Sequence, residues 1–296
     1  MEQVMVQLAL LFAYIGAGFL CRKVKLLDEV SDHHFSRLIL NVTLPASIIA
    51  SAIGQESGNR GQAYLVLGLA LFVFLLLPVM GHLFQRFTGC EDTYKLMLTY
   101  SNLGFMGFPI MEALYGQTGM FYAALFMMVF NASIFSYGIS VLEKGRGFDF
   151  KRLLTPGMIS AVLALLIFSL NLPVPGGVEQ FLSTVGDITS PLAMITLGST
   201  LAGVSMKAAL QNKMLYLFSL CKLVLWPALI WGILQFFVED PVVLGVCTIL
   251  VSLPVAGNVS MLCISSGGNK KLAAEGTLVS TILSLFSIPV YMMLFL

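Results

Sequence analysis

Charged residues are scarce in this chain of 296 residues. Asp, Glu, Lys and Arg make up 10% of it and hydrophobic residues 58%, whereas a soluble domain carries roughly 25% charged residues. A hydrocarbon core about 30 Å thick takes about 20 apolar residues per crossing helix. The composition therefore excludes a soluble protein with large water-exposed domains, and it predicts an all-α integral membrane protein in a lipid bilayer.

Several other features are missing. The formal net charge is only +1, so no charge excess points to nucleic acid as a partner. No CxxC spacing occurs among the five cysteines, which we interpret as packing residues, and we expect no metal and no cofactor. The sequence contains no G-x-x-x-x-G-K-S/T loop, no H-E-x-x-H pair and no G-x-S-x-G elbow, which argues against a nucleotide-driven pump and a membrane enzyme.

Apolar runs of membrane-spanning length recur along the whole chain. They predict ten transmembrane helices with short connections. The predicted spans, numbered 1 to 10, cover residues 3–21, 34–54, 62–85, 94–115, 118–142, 156–173, 178–203, 212–237, 241–265 and 272–295. An even number of spans puts both termini on one side of the membrane.

The basic residues separate by loop. Of the 16 Lys and Arg residues, 14 fall on the side where span 1 ends, Arg60 falls on the opposite side and Lys222 lies inside span 8. One missed or extra span would mix the two sides. Because cytoplasmic loops carry the excess of Lys and Arg, the pattern predicts a protein of the cytoplasmic membrane with both termini on the extracytoplasmic side.

Weak internal matches run in the same order through both halves of the chain. The matching positions are 41–45 and 187–191, Pro78 and Pro227, 102–106 and 258–262, and Gly119 and Gly276. They predict a duplication of five spans, with residues 1–147 as the first repeat and residues 148–296 as the second. Because five is odd, the second repeat is inverted, which is typical of secondary transporters. The alternative is a structural helix bundle with incidental prolines.

Helix-breaking residues cluster in the middle of spans 4 and 9. Proline removes a backbone hydrogen bond and glycine lowers the cost of irregular backbone, so we expect both helices to be broken. The resulting half-helix N-termini, each with roughly +0.5 charge, and two Asn amides suit a carboxylate. The candidate substrate-binding residues are Asn102, Gly104, Gly107 and Pro109 in span 4 and Pro254, Gly257, Asn258 and Ser260 in span 9. The alternative is that these residues only ease a kink and let helices pack closely.

At these residues the sequence resembles the auxin efflux carrier family, which includes plant auxin carriers and bacterial permeases for malate, malonate and similar acids. The resemblance covers essentially the whole chain. Its most specific parts are residues 101–109 (SNLGFMGFP), residues 114–116 (LYG), the Leu253-Pro254 break with Asn258, and residues 287–289 (SIP). This chain lacks the long loop of the plant carriers between spans 5 and 6 and has Ser101 where they have proline. Both departures favour a compact microbial permease.

The resemblance implies that spans 4 and 9 cross at mid-membrane and that the amides of Asn102 and Asn258 contact a substrate carboxylate there. It also implies a scaffold of spans 1, 2, 6 and 7, a mobile transport unit of spans 3–5 and 8–10, elevator-type alternating access, and a homodimer formed through the scaffold. The predicted function is secondary transport of a small organic anion, such as malate, malonate or an auxin-like acid. The alternatives are a receptor or channel and a membrane-embedded enzyme, none with alternating access.

Three ionisable residues lie within or close to the spans, where such groups are functional candidates by default. Asp187 in span 7 is predicted either to carry a coupling proton or to form a structural ion pair with Lys222 in span 8. Glu112, just past Pro109, is a further candidate for coupling or an interfacial residue. A sodium ion is the alternative to the proton as the coupling ion.

Overall fold

The computed structural model describes residues 2–53, 55, 60–142, 154–203 and 211–294. Within these ranges the chain forms helices and no strand, with one isolated antiparallel bridge between Ser101 and Val255. The α-helices, in chain order, are α1 (Glu2–Lys23), α2 (Glu29–Leu38), α3 (Leu44–Ala52), α4 (Arg60–Thr88), α5 (Asp92–Thr99), α6 (Phe108–Ser133), α7 (Ile139–Leu142), α8 (Pro156–Leu170), α9 (Gly176–Gly186), α10 (Thr189–Gly203), α11 (Lys213–Leu220), α12 (Trp226–Leu234), α13 (Pro241–Ser252), α14 (Gly257–Ser266) and α15 (Lys270–Leu294). The prediction of an all-α protein is confirmed.

Short π-helical segments interrupt the regular helices. In a π-helix the backbone bonds skip one residue more than in an α-helix, and such turns are frequent at functional sites. The segments in the described ranges are Ile39–Thr43, Leu103–Gly107, Ile134–Gly138 and Cys221–Leu225.

Short polar side chains start several of the helices. Asp28 accepts a hydrogen bond from the Ser31 N–H at 2.7 Å ahead of α2. Asp240 accepts from the N–H groups of Val242 and Val243 at 2.8 and 3.1 Å ahead of α13. These caps satisfy N–H groups that have no partner inside the helix. Both α8 and α13 also have a proline in the first turn, where the missing N–H costs nothing.

Among the described residues, five helical stretches are long and apolar enough to cross a membrane. They are Glu29–Ala52, Arg60–Thr88, Leu103–Leu142, Lys213–Leu234 and Lys270–Tyr291. Two shorter apolar helices, α8 and α13, accompany them. The chain is therefore a multi-pass membrane protein. The count of ten spans, the inverted repeat and the orientation of the termini stay predictions.

The observed helices differ from the predicted spans at Gly116 and at Asp187. The end of predicted span 4 and the start of predicted span 5 both fall within α6, and Gly116 separates them by a kink, with non-helical backbone angles (φ 59°, ψ −144°) that glycine readily adopts. Predicted span 7 is divided at Asp187, between α9 and α10. Pro191 has no N–H to donate to the Asp187 carbonyl one turn earlier, which explains this break. Asp187 is exposed there.

Packing divides the chain into two units. Unit 1 comprises Met1–Tyr64, Gly104–Met128 and Leu154–Val204, and unit 2 comprises Leu65–Leu103, Val129–Leu153 and Ser205–Leu296. In unit 1, α1 packs against α10, and α3 packs against α8 and α9. In unit 2, α15 packs against α5, α11, α13 and α14. The repeats 1–147 and 148–296, and the division into scaffold and transport unit, stay predictions.

In unit 1, α1 and α10 approach each other through two glycines. A Cβ atom added at Gly18 would lie 1.9 Å from the Ile195 carbonyl oxygen. A Cβ atom added at Gly198 would lie 1.9 Å from the Ile15 carbonyl oxygen. Such distances permit no side chain, so glycine at both positions lets the two backbones touch.

These two helices run parallel. Arg22 lies near the C-terminal end of α1, and Gly203 is the last residue of α10. The Arg22 guanidinium would lie 2.9 Å from a Cβ atom added at Gly203. The C-terminal ends of α1 and α10 are therefore on the same side of unit 1.

Candidate functional site

Within predicted spans 4 and 9, the chain leaves helical geometry in unit 2. Tyr100 is extended (φ −105°, ψ 112°) after the end of α5. Leu253 (φ −65°, ψ 152°) and Ala256 (φ −68°, ψ 135°) are extended between α13 and α14. Pro254 explains the second break, because proline lacks an N–H and drives the preceding residue to extended geometry. We call Tyr100–Asn102 the first interruption and Leu253–Ala256 the second interruption.

The two interruptions pair with each other. The Asn102 N–H donates to the Pro254 carbonyl oxygen at 2.8 Å, and the Ala256 N–H donates to the Tyr100 carbonyl oxygen at 3.1 Å. The pairing is antiparallel. A break inside an apolar helix frees backbone polar groups that lipid cannot satisfy. Here each break supplies hydrogen-bond partners for the other.

Buried side chains hold both interruptions in place. The Val255 N–H donates to Ser280 Oγ at 3.1 Å. The Tyr100 hydroxyl donates to the Ser133 carbonyl oxygen at 2.8 Å. The Tyr100 ring also meets Phe130 edge to face, with 5.4 Å between the ring centroids. The paired backbone is thus fixed from α15 on one side and from the end of α6 on the other.

The paired interruptions bring the two predicted asparagines into one unit. Asn102 is 7% exposed, whereas Asn258 and Gly257 at the start of α14 are exposed and Ser260 is half-buried. The residue before α14, Ala256, provides no side-chain cap. An uncapped helix N-terminus with an exposed amide beside it is an arrangement that favours an anion.

A lysine is fully buried beside the first interruption. Lys222 is 0% exposed and lies in the π-helical segment Cys221–Leu225. Its Nζ donates to the Leu98 carbonyl oxygen at 3.1 Å and to Ser101 Oγ at 2.8 Å. Ser101 Oγ donates in turn to the Val251 carbonyl oxygen at 3.2 Å. These acceptors offset part of the cost of burying an ammonium group.

Unit 1 contains a polar cavity of about 230 Å³. Glu112, Asp187 and Ser190 line it together with Gln7 and Tyr14. Ser190 Oγ donates a hydrogen bond to the Glu112 carboxylate. The cavity therefore gathers two carboxylates with neutral hydroxyl and amide groups, which suits a proton or a monovalent cation. Across the described ranges, no three His, Cys, Asp or Glu side chains are grouped to hold a metal ion.

The remaining candidates of span 4 belong to unit 1. Gly104 is half-buried and Gly107 is buried, and both lie in the π-helical segment Leu103–Gly107. Pro109 is buried in the first turn of α6 and lines the polar cavity. Their role in substrate binding stays a prediction, and so does the ion pair between Asp187 in unit 1 and Lys222 in unit 2.

Several side chains around these sites are not singled out in the sequence-based prediction. They are Gln7, Tyr14, Tyr100, Ser133, Ser190 and Ser280. A signal for Ser280 exists, because hydroxyl residues recur at helical spacing through apolar α15 at positions 277, 280, 281, 284 and 287. No comparable pattern marks Ser133, whose partner Tyr100 lies 33 residues away, or Gln7, which shares the cavity with Glu112 and Asp187.

Comparison with known proteins identifies the family. A family model described as membrane transport protein matches residues 3–152 and 146–292. An "Uncharacterized transporter" of Methanothermobacter thermautotrophicus is 24% identical over 282 residues, which are 93% of this chain and 92% of that protein. A "Putative malonate transporter" of Rhizobium meliloti is 24% identical over 295 residues, 94% of this chain and 91% of that protein. The "Uncharacterized transporter YfdV" of Escherichia coli K12 is 24% identical over 208 residues, 62% of this chain and 64% of that protein.

The matched stretches extend over nearly all of the chain, and their apolar helices are those of a multi-pass membrane protein. The predicted resemblance to the auxin efflux carrier family is confirmed, and the chain is a membrane transporter. This protein belongs to the membrane transport protein family.

Proposed function

We propose that this protein is a secondary active transporter that moves a small organic anion across the cytoplasmic membrane by elevator-type alternating access. The anion is a small carboxylate, such as malonate, malate or an auxin-like acid. One observation carries this proposal: the second interruption, which bonds to Asn102, is followed directly by the start of α14, where Ala256 provides no side-chain cap and Asn258 is exposed.

The chemistry of the paired interruptions suits a carboxylate. The first N–H groups of α14 have no side-chain cap, and a helix N-terminus carries roughly +0.5 charge. An Asn side chain adds two N–H donors at each interruption. A carboxylate has two acceptor oxygens, so one oxygen can accept a hydrogen bond from an Asn amide while the other oxygen faces the N-terminus of α14. The name of the Rhizobium meliloti relative favours malonate as the first acid to test.

The proposal is tested by uptake into proteoliposomes. Purified protein is reconstituted, and entry or exchange of radiolabelled malonate and malate is measured as a function of concentration. We expect saturable transport. Asn102→Ala removes the amide beside the pairing and is expected to abolish it, whereas Asn258→Ala is expected to lower it at least about tenfold, because each substitution removes hydrogen-bond donors to a charged group.

Asn41→Ala is the matched control for both substitutions. The Asn41 side chain is exposed and donates to the Arg37 carbonyl oxygen one turn earlier, so its loss should leave transport unchanged. Unimpaired transport in both Asn102→Ala and Asn258→Ala would contradict the site. Binding of these acids without saturable flux would instead favour a receptor or channel.

The division into two units supports alternating access. Predicted spans 1, 2, 6 and 7 fall in unit 1, predicted spans 3, 8, 9 and 10 fall in unit 2, and spans 4 and 5 are shared between the units. An elevator needs such a division into a scaffold and a moving part. Ser260→Cys, near the start of α14, should react with a membrane-impermeant thiol reagent added to either side of the membrane. Adding substrate should change the fraction of protein labelled from each side. Reaction from one side only, with or without substrate, would contradict the elevator.

The polar cavity of unit 1 supports coupling to a proton or to sodium. Glu112 and Asp187 line this cavity, and a carboxylate exposed to it can take up either ion. Malonate accumulation should respond to an imposed pH or sodium gradient, and Asp187→Asn or Glu112→Gln should remove that response. Transport that responds to neither gradient would show that the protein is a uniporter and that the polar cavity does not couple an ion to transport.

A homodimer formed through unit 1 and outward-facing termini complete the proposal. Light scattering of the detergent-solubilised protein should give the mass of two chains, and a reporter fused to the C-terminus should be reached only from the extracytoplasmic side. A monomeric mass or a cytoplasmic reporter would contradict these two points without affecting the substrate site.

A further inference from the structure

Lys222 places an amine in the interior of unit 2. Its side chain is 0% exposed, and its π-helical segment packs against α13 and α15. The described ion pairs of unit 2 join Lys95 to Asp92 and Lys271 to Glu275, and neither pair includes Lys222. The acceptors of its ammonium group are neutral.

Those acceptors lie at the ends of two helices. The Leu98 carbonyl is among the last four of α5, and the Val251 carbonyl is among the last four of α13. Lys222 Nζ bonds the first directly at 3.1 Å. It reaches the second through the Ser101 hydroxyl, at 2.8 Å and then 3.2 Å. One ammonium therefore joins the C-terminal ends of both helices that stop at the interruptions.

The ammonium group of Lys222 offsets the negative charge at the C-terminal ends of α5 and α13. A helix C-terminus carries roughly −0.5 charge, so the ends of α5 and α13 together place about one negative charge beside the paired interruptions. That charge would repel a carboxylate. With Lys222 in place the two ends are neutralised, and the positive N-terminus of α14 is left to act on a bound anion.

We propose that Lys222 is a specificity-determining residue, whose buried ammonium selects anions at the paired interruptions and favours a dicarboxylate over a monocarboxylate. The inference rests on the proposed function and names its substrate class more closely. Lys222 acts through charge, across the Ser101 side chain, and needs no contact with the substrate. Lys222 cancels the repulsion that the two helix ends would exert on each carboxylate of the substrate, so a dianion gains more than a monoanion.

The test compares two acids that share one carbon skeleton. Malonate has two carboxylates, and monomethyl malonate has one. Each unlabelled acid competes with radiolabelled malonate in proteoliposomes that contain the wild type, Lys222→Met or Lys222→Arg. We expect Lys222→Met to weaken competition by malonate about tenfold more than competition by monomethyl malonate. Lys222→Arg keeps the charge and should keep the ratio of the two affinities within about threefold of the wild-type value.

A purely structural role predicts a different outcome. Damage to the packing around Lys222 would weaken both acids by the same factor, so an unchanged ratio in Lys222→Met would overturn the inference. Lys213→Met is the matched control, because Lys213 is an exposed lysine at the start of α11. It should leave both affinities and their ratio unchanged.

The wild type alone provides a test if Lys222→Met yields no folded protein. It should bind malonate at least about tenfold more tightly than monomethyl malonate, and equal affinities would overturn the inference. Failure of the proposed function looks different, because the wild type would then transport neither malonate nor malate. Saturable malonate transport without a preference for the dianion would remove only the role of Lys222.

Discussion

The first interruption is enclosed by side chains, whereas the second opens onto an exposed helix start. In the first, Tyr100, Ser101 and Asn102 are 0%, 4% and 7% exposed, and the hydroxyl groups of Tyr100 and Ser101 donate to backbone carbonyls. In the second, Ser280 holds the buried Val255, and Gly257 and Asn258, at the start of α14, are exposed. We therefore expect the first interruption to contribute mainly to stability and the start of α14 to contribute mainly to transport. Changes around the buried anchors should lower stability, and changes at the start of α14 should lower transport at unchanged stability.

Ser101→Ala should have the largest effect on stability. It removes one of the acceptors of the buried Lys222 ammonium and the bond to the Val251 carbonyl. A hydrogen bond to a charged group contributes about 1.5–3 kcal/mol, so we expect a loss of about 2–3 kcal/mol, measured as a lower thermal midpoint in detergent. Ser136→Ala is the control, because Ser136 is exposed and bonds only to its own helix. Equal midpoints for both variants would show that the first interruption is not an anchor.

Ser280→Ala should have the next largest effect, because it leaves the buried Val255 N–H without its side-chain acceptor. An unsatisfied buried donor costs about 1–3 kcal/mol, so the thermal midpoint should fall by somewhat less than in Ser101→Ala. Ser284→Ala is the control, since that buried hydroxyl bonds to the Thr281 carbonyl of its own helix. If Ser284→Ala destabilised the protein as much, the loss would come from packing within α15 and not from the interruption.

Tyr100→Phe should cost about 1 kcal/mol. The substitution keeps the aromatic ring against Phe130 and removes only the hydroxyl bond to the Ser133 carbonyl. Thermal unfolding checks the size of the effect, with Tyr64→Phe as an exposed control whose hydroxyl bonds to Ser169. A loss above that of Ser280→Ala would mean that the tyrosine, more than the serine, fixes the pairing.

Gly257→Ala should change stability least, by no more than about 0.5 kcal/mol. No atom lies within 4 Å of a Cβ atom added at this exposed residue. Malonate uptake should nevertheless fall about tenfold, because a methyl group would cover the helix start that faces the carboxylate. Gly232→Ala, which also adds a Cβ atom in open space, should affect neither quantity. Full uptake in Gly257→Ala would contradict the proposed position of the substrate.

The sequence predicts the parts of this structure that depend on composition and local chemistry. Few charges and long apolar runs predict an all-α membrane protein, and the motif at 101–109 predicts the family. Pro254 and Gly257 mark the region where α13 ends and α14 begins, because proline and glycine act on their own stretch of backbone. The side-by-side position of Asn102 and Pro254 is a long-range contact, and only the resemblance to a family implies that the two spans meet.

Other features depend on contacts that no local pattern encodes. In the sequence, Lys222 is an isolated charge inside a predicted span, and the partner predicted for it is the Asp187 carboxylate. Its bonds to Leu98 and Ser101 join residues 124 and 121 positions apart. A carbonyl oxygen is present at every residue, so no residue type signals which one accepts the bond. The division of predicted span 7 at Asp187 is a local effect of Pro191, but the span is predicted as continuous, and Pro78 and Pro289 lie inside unbroken helices.

The glycine contact between α1 and α10 also limits the number of membrane crossings. Two neighbouring helices that run parallel enter the bilayer from the same face. If both cross it, the chain between them must traverse the membrane an odd number of times to return to that face. The five intervening spans predicted at 34–173 satisfy this parity, whereas four or six would not. The close approach of α1 and α10, with the position of Arg22 beside Gly203, thus restricts the route of about 150 residues that lie elsewhere in the protein.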